Sequence, residues 1–264
     1  MSLIRERVIA YGAAAWGQSR AFRDADIDRI MARVIPVVQA GQVQAAQVTN
    51  AYIGRLAVLA GVRWTSGIDR EAIVNYRGVP AEEVYRRPAV ATYSALAKGA
   101  MYVDAVQVGA ARLVGILATD LQQASNRQAS AAIGGSGFSG FRRQLSGSEN
   151  CAFCVIASTQ RYLKGDLLPL HPACDCETMP LLSATDPGQV IDQRLLDSTH
   201  AAIDKQLGFT DRGARDLGVG KVSSKGKPIS DYTDLIVVNQ HSELGPILGW
   251  RGAKFTGVED LHSH

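Results

Sequence analysis

All four cysteines of the chain fall within one short segment that also contains a histidine. Two residues separate Cys151 from Cys154, a spacing that lets both thiolates bind one ion from a single tight turn. The same gap separates His171 from Cys174. Two such pairs are typical of a tetrahedral zinc site, and sulfur-rich donors favour zinc over calcium, magnesium or manganese. The spacing therefore predicts one structural Zn²⁺ ion.

A fifth donor, Cys176, lies two residues after Cys174 and hence on the same side of an extended strand. Five candidates thus compete for four coordination positions. The primary set is Cys151, Cys154, His171 and Cys174, and Cys176 is the alternative to His171 or Cys174. Because the donors outnumber the positions, we expect a closed structural site, without catalytic residues, rather than a catalytic zinc with an open position.

Other chemistries of this segment have weaker support in the sequence. A redox-active cysteine pair is expected within a thioredoxin-like βαβ pattern, which does not surround Cys151 and Cys154. All four cysteines could instead bind an iron–sulfur cluster. A zinc hydrolase or a nucleotide-using transferase would need a carboxylate beside the ion, and the nearest by sequence are Glu149, Asp175 and Glu177. Neither a GxSxG elbow nor a Walker phosphate-binding loop occurs.

Composition and charge limit the remaining function classes. Hydrophobic residues make up 46% of the chain, enough to bury a core, and the formal net charge of +3 is too small to predict nucleic-acid binding by itself. Basic residues near the cysteines predict a surface for nucleic acid or an acidic partner, or, more commonly, a solvated face: Arg127, Arg142, Arg143, Arg161 and Lys164. No apolar leader or bilayer-spanning stretch is evident, which predicts a protein made in the cytosol without membrane contact.

The first half of the sequence predicts long helices. Apolar residues recur at helical spacing from residue 27 onward, with Asp24 or Asp26 as the cap. Pro36 should kink or divide this helix, and Gly61 should end its continuation or a second helix.

The longest periodic segment runs from about Ala89 to Ala132, after a connector from Trp64 to Pro88 in which a short helix begins at Pro80. Glycines in the segment 134–140 are predicted to end this long helix. Its apolar stripe predicts a core face or a seam against a neighbouring subunit, and consists of Val103, Val106, Ala110, Leu113, Leu117, Leu121 and Ala124.

The second half predicts shorter elements. Short apolar runs bounded by glycine and proline indicate a metal-binding module with a few strands over residues 135–183. The remaining residues, 184–264, are predicted to form an extension. It contains a helix over 188–207, a solvated basic loop over 211–230, and two short strands, DLIVV and PILGW, that pair with each other. Residues 1–134 are predicted to form a helical region that docks on the portal or capsid. The predicted fold class is therefore mainly α, with a small α+β zinc-binding module and a partly extended C-terminal region.

The cysteine segment resembles a known family, the phage Mu F-like minor head proteins, including those of phages that infect actinobacteria. The resemblance rests on RRQLSGSENCAFCVIAS and YLKGDLLPLHPACDCETMP, in which CxxC is followed by HxxCxC, and it covers residues 138–182. The preceding helical region and the stretch SELGPILGWRG resemble the flanks of the actinophage members less specifically.

The resemblance implies a structural virion protein rather than an enzyme. Family members are present in few copies at the portal vertex and capsid interior, and are implicated in head assembly or DNA packaging and ejection. The metal ligands carry over by position, with Arg143 as a supporting residue ahead of the first cysteine, and nothing catalytic carries over. Some relatives are fused to a capsid maturation protease or a toxin, for which this chain is too short.

We therefore expect a stand-alone minor capsid protein that binds the phage portal or major capsid protein, with packaged DNA as a further candidate partner. It would be made in the host cytoplasm and end in the virion. The alternatives are a nucleic-acid-binding zinc module and a zinc-dependent hydrolase or toxin-like transferase.

Overall fold

Two compact units divide the chain, unit 1 from Met1 to Ser136 and unit 2 from Gly137 to His264. The structure, a computed structural model, describes residues 2–19, 21–65, 67–145, 152–158, 161–164, 176–182, 236–241 and 245–250, together with Arg194, Asp197 and Ala201. Helices hold 72% of the described residues, and a small three-stranded antiparallel sheet lies in unit 2. The prediction of a mainly helical chain with a small strand-containing part is confirmed.

Long helices build unit 1. They are α1 (Ser2–Gly17), α2 (Asp24–Ala60), the short α3 (Arg70–Val74), α4 (Ala81–Ala97) and α5 (Tyr102–Gly134). Helices α1, α2 and α4 pack against α5. The core between them is apolar and includes Trp16, Phe22, Ile27, Val34, Leu113, Leu117 and Leu121. Removal of these side chains from water is the main stabilising contribution to unit 1.

Helix α2 follows the sequence prediction at both ends but not at its proline. It begins at Asp24, and the side chain of Asp26 caps it by accepting the backbone N–H of Arg23 (3.2 Å). It ends where Gly61 adopts the left-handed conformation (φ 65°). Pro36 does not divide the helix, because residues on both sides of it are buried in the core and their packing offsets the lost hydrogen bond.

The single helix predicted from about Ala89 to Ala132 is wrong. Helices α4 and α5 are separated by a turn in which Gly99 has a φ of 89°, a conformation that side chains with a Cβ rarely adopt. Pro88, expected in a connector, lies inside α4. The two helices approach closely at Gly109, where an added Cβ would lie 2.9 Å from the carbonyl oxygen of Pro88.

The apolar stripe predicted on this segment forms the core face of α5. Leu113, Leu117, Leu121 and Ala124 are buried, whereas Val103 at the start of the helix is 67% exposed. By length and composition alone α5 could cross a membrane, so the expectation that no segment could do so is wrong. The packing of α5 against α1, α2 and α4 accounts for its composition as that of a core helix.

A buried carboxylate ties the segment between α3 and α4 to the middle of α5. Asp120 accepts hydrogen bonds from the Tyr76 hydroxyl (2.7 Å), the Tyr85 hydroxyl (2.6 Å) and Nε of Arg77 (2.9 Å). Burial raises the pKa of Tyr76 and Tyr85 well above the usual value, and the negative charge of Asp120 raises both further. Both hydroxyls therefore stay protonated and serve as donors to the carboxylate.

Short elements build unit 2. They are β1 (Gly140–Gln144), α6 (Ala152–Ser158), β2 (Arg161–Leu163) and β3 (Glu177–Pro180). Strand β1 lies between β2 and β3 and is antiparallel to both. In this register Phe141 is opposite both Tyr162 and Pro180, and Arg143 is opposite Thr178.

The C-terminal strand pairing is confirmed. Strands β4 (Ile236–His241) and β5 (Gly245–Trp250) form an antiparallel pair in which Ile236 is opposite Trp250. The helix predicted over 188–207 lies outside the described residues except for Arg194, Asp197 and Ala201, which are helical. The basic loop predicted over 211–230 lies wholly outside them.

Replacing Asp120 with alanine should destabilise unit 1 by about 3–5 kcal/mol, because the change leaves the buried guanidinium of Arg77 without this carboxylate. Chemical denaturation followed by circular dichroism measures the loss. The control is Asp28→Ala, which removes an exposed ion pair with Arg86 and should cost about 0–1 kcal/mol. Equal losses in the two variants would contradict an organising role for Asp120.

Candidate metal centre

Two of the five predicted metal ligands lie in the described part of unit 2. Cys154 is in α6, and Cys176 directly precedes β3. Neither of these two cysteines is disulfide-bonded, and they are only 1% and 4% exposed. Cys151, His171 and Cys174 lie outside the described residues. The complete donor set therefore stays a prediction.

Strand β1 places its alternate side chains in two environments. Phe141 and Arg143 are buried. Arg142, which lies between them, and Gln144, which follows them, are only partly buried. The ring of Phe141 stacks on that of Tyr162 in β2, with centroids 4.9 Å apart. The sheet thus has one side that faces the interior of unit 2.

Helix α6 is attached to this sheet through Tyr162. The helix packs against β1, and the hydroxyl of Tyr162 donates to the carbonyl oxygen of Ala157 at 3.0 Å. Ser158 ends the helix by donating its hydroxyl to the carbonyl oxygen of Val155 at 2.7 Å. These contacts fix the helix that bears Cys154 relative to β1 and β2.

Arg143 is completely buried in the same region. It is 0% exposed, Nη1 donates to Oγ1 of Thr178 (3.3 Å), and its guanidinium carbon lies 5.8 Å from the centroid of the Phe141 ring. A fully buried arginine is rare, because removing a cation from water costs several kcal/mol unless charges and hydrogen bonds offset it.

Three charged or ionisable groups influence the hydroxyl of Tyr162. Burial raises the pKa of Tyr162 to about 12, the positive charge of Arg143 opposes this rise, and Cys176 and Cys154 each add to it. Charge effects decline with distance, so all three groups lie within electrostatic range of this hydroxyl. Cys154 and Cys176, which are distant in sequence, are both buried and both within electrostatic range of Tyr162.

The donors in this environment suit a soft metal ion. Thiolates bind zinc well and calcium or magnesium poorly. Within the described ranges, no group of three or more His, Cys, Asp or Glu side chains comes together in a way that could hold a metal. That search covers only Cys154 and Cys176 of the predicted five.

The basic residues noted in the sequence divide between the two units. Arg127 belongs to unit 1, where its guanidinium lies 4.9 Å from the centroid of the Tyr76 ring and burial lowers its pKa. In unit 2, Arg142 and Arg161 are directly opposite each other on β1 and β2, and Lys164 follows β2. Arg143 is buried and takes no part in a solvated face.

The sequence interpretation missed Phe141, Tyr162 and Thr178 as residues that pack together beside Arg143 in unit 2. The alternation of β1 could have indicated that Phe141 and Arg143 share a side, but only the pairing of distant strands brings Tyr162 and Thr178 to them.

Comparison with known proteins finds no matching family model, no matching curated protein and no matching solved structure. The interpretation of the centre therefore depends on its residues and their geometry.

Replacing Cys154 with serine should weaken zinc binding more than about 100-fold and unfold unit 2, because the free energy of metal binding at such a site is also folding free energy. Zinc competition with a chelating dye measures the affinity, and circular dichroism the structure. The control is Val155→Ala in the same helix, which removes buried apolar volume at a cost on the order of 2 kcal/mol but should keep the zinc. Undiminished zinc affinity in Cys154→Ser would exclude Cys154 as a ligand.

Proposed function

We propose that this chain is a structural minor head protein of a tailed bacteriophage, similar to the Mu F-like family, with one Zn²⁺ ion that holds unit 2 together. The proposal depends on one observation: Cys154 and Cys176, from the two halves of the CxxC and HxxCxC pattern, are both buried and both within electrostatic range of Tyr162. In this proposal Cys151, His171 and Cys174 provide the remaining donors, and four of the five bind the ion.

A structural role is favoured over a catalytic one by the supply of donors. Catalytic zinc sites keep one position open for water or substrate. Here five protein donors are available for four positions, and the two described thiols are almost inaccessible to solvent. The ion would act by fixing the relative positions of two distant segments, and no enzymatic activity is proposed.

Unit 1 is proposed to bind the portal or another head protein. The turn between α4 and α5 presents adjacent apolar side chains to solvent: Met101 is 74% exposed, and Tyr102 and Val103 are exposed as well. Contiguous exposed apolar residues are typical of protein interaction surfaces. The other end of α4, at its first turn, is polar, because Glu82 and Glu83 lie there.

The most direct test of this function is the composition of the virion. Quantitative mass spectrometry of purified particles of the phage that encodes the chain should find it in the head, in fewer copies than the major capsid protein. Deleting its gene should reduce the yield of infectious particles, and a plasmid copy of the gene should restore it. Fully infectious particles that lack the protein would refute the proposal.

Contact with packaged DNA is a second proposal, supported by the pair formed by Arg142 and Arg161. The two residues are directly opposite each other on β1 and β2, which places two positive charges on one side of the sheet, and arginine side chains commonly bind DNA phosphates. Arg161 is exposed. Arg142 is partly exposed, and its Nη2 also donates to Sδ of Met179 at 3.2 Å.

Binding of the full chain to duplex DNA should weaken steeply as salt concentration rises. The double variant with Arg142→Gln and Arg161→Gln should lower the slope of log affinity against log salt by about one unit per arginine. Arg29→Gln, an exposed arginine of unit 1, is the control and should leave the slope unchanged. An unchanged slope in the double variant would rule out this surface, and the head-protein proposal would remain.

A further inference from the structure

A groove on unit 1 is lined by arginine side chains. It lies between the end of α1 and the first turns of α2, and its volume is about 910 Å³. The described residues that line it include Arg23, Arg29 and Arg33, and one acidic residue, Asp26. The groove therefore presents three positive charges and one negative charge.

The carboxylate of Asp26 is already engaged by its own segment. Oδ2 accepts the backbone N–H of Arg23 at 3.2 Å, and Oδ1 accepts a hydrogen bond from Nη2 of Arg29. The guanidinium of Arg29 is held in place by a second bond, from Nε to the carbonyl oxygen of Ala25 at 3.2 Å. Because Asp26 and Arg29 neutralise each other, the charges of Arg23 and Arg33 remain.

These two remaining arginines are exposed and carry uncompensated charge. Nη1 of Arg33 donates to Oε1 of Gln18 at 2.8 Å, and this neutral acceptor orients the guanidinium without cancelling its charge. Within the described part of the chain, neither Arg23 nor Arg33 forms an ion pair. Ten residues of helical rise place their backbones about 15 Å apart, so a ligand that pairs with both must be a segment with several charges rather than a single ion.

The surroundings of the groove favour a protein segment over nucleic acid. Ile30 and Ala32 are among the residues that line it, and protein interfaces combine arginine with apolar contacts, whereas protein–DNA interfaces are more polar. Asp24 and Asp28 lie outside the lining, where they pair with Arg86 of α4, and they remain 88% and 58% exposed. Their negative charges would repel a long polyanion such as duplex DNA that extends past the groove.

We propose that this groove binds an acidic segment of another protein, whose Asp or Glu side chains pair with Arg23 and Arg33 and whose small apolar side chains contact the lining between them. The inference goes beyond the proposed head-protein function, because it names the charge of a partner segment and does not require the zinc centre.

The test measures binding of a labelled acidic peptide to the full chain by fluorescence anisotropy. The probe is a peptide of about 20 residues, long enough to span both arginines, with glutamate at every third or fourth position and alanine or leucine between. The control peptide has glutamine in place of each glutamate. The natural chain should bind the glutamate peptide about tenfold more tightly than the glutamine peptide, and this difference should shrink as salt concentration rises.

Variants of unit 1 locate the binding surface. The double variant with Arg23→Gln and Arg33→Gln should bind the glutamate peptide about tenfold more weakly. Gln18→Glu keeps both arginines but places a carboxylate where Arg33 already donates, so it should also weaken binding. The matched control, with Arg55→Gln and Arg63→Gln, removes the same charge from exposed positions near the other end of α2 and should bind like the natural chain.

Equal affinity of the natural chain for the glutamate and glutamine peptides, or unchanged affinity in the double variant, would overturn the inference. Duplex DNA that displaces the peptide and loses affinity in the same double variant would also overturn it, in favour of a nucleic-acid surface. The zinc centre does not affect this outcome, because removing zinc from the protein should leave peptide binding by unit 1 unchanged.

Discussion

The sheet of unit 2 brings together residues that are far apart in the sequence. Its strands have five, three and four residues, and the buried positions of β1 and β3 include Phe141, Arg143 and Thr178. Cys154 in α6 and Cys176 before β3 are buried in the same unit and are not disulfide-bonded. In the proposed function a shared metal ion would cross-link these segments, since thiolates bind zinc well.

Unit 1 has a different basis of stability. A continuous apolar core lies among α1, α2, α4 and α5. The carboxylate of Asp120 accepts hydrogen bonds from two tyrosine hydroxyls and one guanidinium. Such a unit needs no metal. In the proposed function, unit 1 would bind other head proteins and unit 2 would depend on its ion.

The parts of the fold that sequence could predict are those set by local chemistry. Gly61 ends α2 through a left-handed conformation, and the pattern of β4 and β5 identifies both strands. Helix α1 escaped prediction because its apolar residues have almost no helical periodicity. The turn at Gly99 was missed because helical residues lie on both sides of it, and tertiary packing keeps Pro36 inside a helix.

The same limit applies to the candidate site. The spacing of the cysteines is local, so the sequence predicts a metal and its candidate ligands, and this stays a prediction. The environment of those ligands depends on which strands pair: Tyr162 and Thr178 reach the site only because β2 and β3 both join β1. The burial of Arg143 could not be read from a segment whose other basic residues are at least partly exposed.

The metal content of the natural full-length protein tests the central claim most directly. Elemental analysis after purification without added metal should find one zinc ion per chain, and a strong chelator should unfold unit 2 while the helical signal of unit 1 persists. A protein that contains no metal, and whose thermal unfolding is the same with and without the chelator, would contradict this account.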